Sequence, residues 1–175
     1  MKFLSDIRLL LIAIWLGAAV FFIAVAQSSF AVLPQRELAG AVVNRTLAIL
    51  NFSGLGIFVV VLLTSFIRGG SVYPFWIWGE RVLAAIAAAA CAVGQFVFGF
   101  WIAIKRVEIG KPIDELAADD PLRLQFDTLH QYSEWALIVA MSAAFLVFWI
   151  VANRRYRAMK DAADVPYNFE KEFKI

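Results

Sequence analysis

The sequence contains one cysteine, Cys91, and one histidine, His130. A lone cysteine allows no intrachain disulfide, and a lone histidine excludes a bis-histidine haem held by this chain by itself. Charge is also scarce. Charged residues make up 17% of the chain, against about 25% in ordinary globular proteins. The net charge of +2 is small and not gathered into a basic groove, which argues against nucleic-acid binding. There is no nucleophile elbow, phosphate-binding glycine loop, Cys-x-x-Cys or His-Glu-x-x-His. Catalysis is therefore not expected, and the acids of the loops read as a solvated face. In place of all these the chain carries apolar surface. Hydrophobic residues reach 62% over 175 residues, against about 45–50% in soluble chains, more than so small a soluble domain could hide.

That surface falls into four runs free of charge: Leu9 to Ala26, Thr46 to Ile67, Val82 to Ile104 and Trp135 to Ala152, of 18, 22, 23 and 18 residues. As helices they would reach roughly 27 to 35 Å, the thickness of a hydrocarbon core of about 30 Å. Helices satisfy their own backbone groups in lipid, and no run alternates at period two as a barrel strand would. The expectation is an all-α integral membrane four-helix bundle over residues 1–160, followed by a polar tail over 161–175. The first run resembles a signal peptide, with Lys2 and Arg8 before it and Ala24-Val25-Ala26 near its end. Its apolar length exceeds the usual 7–15 residues of a signal core. It is read as a retained first helix.

Four spans put both termini on one side. Ten Lys and Arg residues lie on that side and six on the other, and Arg154, Arg155, Arg157 and Lys160 directly follow a span. The positive-inside rule then places both termini in the cytoplasm. Trp76, Trp78, Trp101, Tyr132, Trp135, Trp149 and Tyr156 lie near span ends, as an aromatic belt does. Trp15, mid-span, faces either lipid or the bundle.

The connections have structure of their own. Pro34 followed by Glu37 and spaced apolar residues predicts that the second helix begins near Gln35. Loop two, with Gly69-Gly70 and Pro74, reads as a turn. In loop three Gly110-Lys111-Pro112 breaks the chain, and Asp120-Pro121 predicts an N-cap and first helical residue. Leu122, Phe126, Leu129 and Tyr132 then make an amphipathic lead-in to the last span.

Few residues carry chemistry. Asp127, His130 and Glu134 share one helical face, and a divalent metal such as zinc or manganese is a candidate ligand there. The plainer reading is an interfacial network in which His130 and Glu134 pair with Arg45 of loop one. No cofactor is predicted; a metal or a pigment contacted at His130 is the one opening left. Ala84, Ala88 and Ala92, with Ala87, Cys91, Gln95 and Gly99, form small-residue rows suited to close helix packing, internal or against a partner. Asn51 and Gln95 are uncharged polar groups within spans and read as interhelical glue or as lining for a solute path. The absence of charge within the runs lowers the expectation of ion-coupled transport.

Several short motifs occur together in order. Trp15-Leu16-Gly17, Val20-Phe21-Phe22, Phe30-Ala31-Val32-Leu33-Pro34 and Leu38-Ala39-Gly40 are followed by Ile113-Asp114-Glu115-Leu116. Asp119-Asp120-Pro121-Leu122-Arg123, Phe126, Leu129-His130 and Ser133 complete the set. Over roughly residues 9 to 152 the chain resembles a bacterial membrane family of unknown function related to transmembrane protein 205. That resemblance implies four helices in the bacterial inner membrane, with Arg45, His130 and Ser133 at recurrent polar positions. The chain departs from the pattern at Gln27, where a proline is common, and at Trp135, where an asparagine is. Members have been linked to metal-drug resistance. The expectation for function is a non-catalytic accessory or structural subunit packing against other membrane-protein subunits among the lipids, its tail docked through Tyr167 and Phe169. Transport or export of a metal or small solute, past Arg45, Asn51, Gln95 and His130, is the alternative.

Overall fold

The computed structural model describes residues 2–66 and 74–163. Helix α1 spans Lys2–Val32 and α2 spans Arg36–Phe66. The third crossing is a composite: α3 (Pro74–Ala92), a π-helical stretch (Val93–Gly99) and α4 (Phe100–Ile109). A 3₁₀ turn (Ile113–Glu115) leads to α5 (Pro121–Ala163). Four of these helical stretches are long and apolar enough to cross a membrane, and the protein is an all-α integral membrane protein. The loop-two glycines, the aromatic Tyr73 and the tail with Tyr167 and Phe169 lie outside the described residues.

Each crossing extends beyond its apolar run at one end or both, and local residues account for three of the boundaries. Pro34 precedes α2, and the Gln35 carbonyl accepts from the Ala39 amide at 3.2 Å. α4 ends at Gly110, whose φ of 64° suits glycine, and the Gly110 amide closes on the Arg106 carbonyl at 3.3 Å. α5 starts as the sequence predicts: Asp120 Oδ1 accepts from the Leu122 amide at 2.8 Å with Pro121 as first helical residue.

The helices pack in a ring, α1 against α2 and α5, and α3 against the same two. Their buried positions step by three and four. The seam runs through Ser5, Arg8, Ile12, Trp15, Ala19 and Phe22 on α1 and through Glu80, Ala84, Ala87 and Cys91 on α3. On α5 it runs through Ser133, Ala140, Ala144, Val147 and Val151. A 3.5-residue repeat of this kind keeps one stripe facing its neighbours along the whole bundle. Most of the seam is small, so backbones approach closely, while large residues such as Ile14, Phe21, Phe52, Leu63, Phe100 and Phe145 point outward. That is the inverse of a soluble bundle and the expected one in lipid.

Trp15 faces the bundle. Its indole N–H donates to the Leu50 carbonyl at 3.0 Å, and its ring meets Phe58 edge-on at 5.0 Å between centroids. Gly54, beside it on α2, has no room for a side chain. Deeper in the third crossing the π-helical stretch brings Gly94 against the buried Asn51 of α2.

Candidate functional site

At the end of the bundle where α1 gives way to α2 and α4 to α5, the helices enclose a cavity of about 200 Å³. Its walls follow from helical spacing. On α2, Arg36, Gly40, Val43, Asn44 and Leu47 recur at three and four residues and turn inward together. Arg123, Phe126, Asp127, His130 and Ser133 do the same on α5. Ile102 and Arg106 come from α4, Lys111, Pro112 and Ile113 from the loop after it, and Phe30 from α1.

The same spacing divides the residues singled out in the sequence. His130, Asp127 and Ser133 reach the cavity, Ser133 buried and His130 part-exposed. Arg45 does not. It follows Asn44 by one residue, about 100° further round α2, and it is exposed. Glu134 is likewise one position past Ser133 and exposed, 3.5 Å from His130 Nε2 through its Oε1. Asp127, His130 and Glu134 share a face of α5, as their spacing predicts, with Glu134 just beyond the cavity lining. Among the described residues no group of three His, Cys, Asp or Glu side chains is arranged to hold a metal ion.

What the cavity holds instead is positive charge. Arg36, Arg106, Lys111 and Arg123 line it, against the carboxylates of Glu37 and Asp127. Arg106 lies across α2 because position 40 is glycine: a Cβ there would sit 3.3 Å from its Nη2. That nitrogen donates to the Glu37 carbonyl at 3.4 Å, while Nε, 4.0 Å from Glu37 Oε1, has no hydrogen-bond partner among the described residues. Arg123 Nη1 donates to the Leu116 carbonyl at 2.9 Å and so ties loop three to the start of α5. Glu108, the remaining acid of α4, is taken up by Lys105 at 2.8 Å on the outside. Four cations against two carboxylates leave the lining with an excess of positive charge, in a concave place where low-dielectric walls focus the field.

Among the described residues the cavity lining does not reach Asn51 or Gln95. Its α2 wall ends at Leu47, one turn short of Asn51, which packs on Gly94 instead. Gln95 is half-buried in the π-helical stretch beside Gly99. The small-residue rows are spent inside the bundle: Ala84, Ala87, Ala88 and Cys91 are buried, and Ala92 and Gly99 are half-buried.

A second polar constellation sits at the opposite end and had no counterpart in the sequence reading. Arg8 of α1 and Glu80 of α3 form an ion pair at 3.0 Å with side chains 2% and 1% exposed. Beside it Arg81 donates through Nε to Ser65 Oγ and through Nη2 to the Ser65 carbonyl, both at 3.1 Å. Glu80 and Arg81 precede the third charge-free run, but α3 begins at Pro74 and carries them in its second turn. The signal was available in the register, since stepping the α1 and α3 seams outward from the apolar runs lands on Arg8, Ser5 and Glu80.

A family model described as a domain of unknown function, DUF4149, matches residues 10–108 of the 175. No curated protein and no solved structure matches the chain. The match runs from α1 to the end of α4 and stops before loop three and α5, which supply Arg123, Asp127, His130 and Ser133. The chain belongs to the DUF4149 family.

Proposed function

We propose that this DUF4149 protein is a small, non-catalytic integral membrane protein that binds a small anionic solute or group in the cavity between α2, α4 and α5. The observation that carries the reading is the lining of four cations and two carboxylates from three separate chain segments. Earlier, a metal cation was one candidate at His130; the same surplus of positive charge disfavours it. The count of basic residues on either side supports a bacterial inner-membrane orientation with both termini cytoplasmic, so that the cavity opens on the opposite face. The motifs of both halves, from Trp15-Leu16-Gly17 to Leu129-His130 and Ser133, are what support the further relation to transmembrane protein 205.

Thermal unfolding of the purified chain in mild detergent tests the proposal. A ligand that binds only the folded state adds about 2.7 kcal/mol at a concentration 100 times its Kd. Phosphate, sulfate or citrate is expected to raise the melting temperature, and zinc or manganese to leave it unchanged. A rise with the metals and none with the anions overturns the reading.

The accessory-subunit role is the second reading, and the course of α5 favours it. That helix continues past the apolar run ending at Ala152 to Ala163, which offers a partner a rod outside the membrane. Purification from native membranes is expected to yield a stoichiometric complex that a chain ending at Asn153 no longer forms. A lone wild-type chain from the same membranes removes this reading and leaves the first in place.

A further inference from the structure

The cavity's composition changes with depth, and this bears on the source of the anion. Leu47 and Ile102 belong to charge-free runs, so this part of the lining lies at hydrocarbon depth. Arg36, Arg106 and Arg123 lie beyond the ends of those runs, at headgroup level. An ion arriving from water requires only the polar layer. Phe30, Val43 and Phe126 extend the apolar lining, and they suit a molecule with a charged head and a greasy continuation. Basic pockets between membrane helices are a known way of holding lipid headgroups.

We infer that the occupant is the phosphate group of an anionic phospholipid, seated against Arg106, Arg123 and Lys111 with the start of its acyl chains on the apolar floor. This rests on the anion-binding reading and deepens it. Arginine recognises phosphate with a planar fork and lysine with a compact point charge, so the site has both modes available. Arg106 lines the cavity, and its Nε, buried and without a hydrogen-bond partner among the described residues, has donor capacity unspent. Gly40 contributes as well, since a side chain there would press on the guanidinium. Arg45, exposed and off the cavity face, has no part in it.

The test uses the full-length chain in mild detergent, with bound molecules read by native mass spectrometry. The probes are phosphatidylglycerol, a diacylglycerol with the same acyl chains, and inorganic phosphate. One phosphatidylglycerol per chain is expected, retained about tenfold better than the diacylglycerol, since each charge-assisted hydrogen bond is worth that order of discrimination. Arg106→Gln combined with Arg123→Gln is expected to lose that preference, and Arg45→Gln to keep it. Lys111→Gln, on the exposed loop, is expected to cut retention by about tenfold or less without affecting folding, so the inference stays testable if the double variant does not fold. Equal retention of the two lipids overturns the lipid inference. If phosphate and citrate still stabilise the chain in that case, the anion-binding reading survives; if no anion binds, both fall. Retention unchanged in Lys111→Gln and in the double variant also overturns the inference.

Discussion

Glu80→Ala is expected to lower the stability of the folded bundle by about 3–5 kcal/mol, because it removes the carboxylate paired at 3.0 Å with the buried Arg8 guanidinium. The pair lies between α1 and α3, helices that occupy opposite corners of the ring, and it ties them at the end nearer the N-terminus. Removing one member of a buried pair takes away its attraction and leaves the other charge buried, whereas removing both does not. The companion prediction is therefore that Arg8→Met with Glu80→Leu recovers most of the loss, since well-packed apolar replacements for buried ion pairs are often neutral or better. The pair is buried between α1 and α3, so the single variant is also expected to loosen α1 from the bundle. Thermal unfolding followed by circular dichroism, with protease access to the first helix as second readout, separates the outcomes. Equal losses in the single and double variants would show the pair to be filler at that position.

The two ends of the molecule were legible in the sequence to different degrees, and the reason is physical. Apolar runs announce themselves by composition, so the four crossings could be read directly, and the chemistry of Asp120-Pro121 and of Gly110 placed helix boundaries near the membrane surface. What composition does not carry is which face a residue occupies once a helix extends beyond its apolar run. Arg45 and Asn44 are neighbours in sequence and both exposed, yet only Asn44 lines the cavity. The cations that meet there, Arg36, Arg106, Lys111 and Arg123, span some ninety positions and converge only when α2, α4 and α5 pack. Their convergence depends on tertiary geometry. Arg8 and Glu80 are a middle case, since the seam's register points at them, but only after the interior faces of α1 and α3 are known. The π-helical stretch has no sequence signal that we can identify beyond its glycines, Gly94 and Gly99.

Gly54→Ala is expected to destabilise the bundle by about 3 kcal/mol, while Gly56→Ala, two residues along the same helix, is expected to be neutral or to stabilise it by about 0.5–1 kcal/mol. The two changes add the same methyl group to the same kind of backbone. At position 54 that methyl would stand 2.5 Å from Trp15 Nε1 and 2.8 Å from Cys91 Sγ, so it collides with α1 and α3 at once. Trp15 is a rigid ring held by its hydrogen bond to the Leu50 carbonyl and by its edge contact with Phe58, and it has no free end to swing away. Relief requires either breaking that hydrogen bond or moving α1 off α2, and each is an overpacking cost of the usual 1–3 kcal/mol. At position 56 nothing lies within 4 Å, and alanine only removes conformational freedom from the unfolded chain. Comparing the two melting temperatures cancels whatever the detergent does to helix propensity, because both substitutions sit within one turn of α2. A Gly54→Ala protein as stable as Gly56→Ala would mean that Trp15 is not wedged between α2 and α3. The small-residue seam would then leave slack where the structure shows contact. The opposite outcome, a large loss at 54 and none at 56, would locate the tightest point of the bundle at the Trp15 junction, and would make Gly54 the position least free to change on α2.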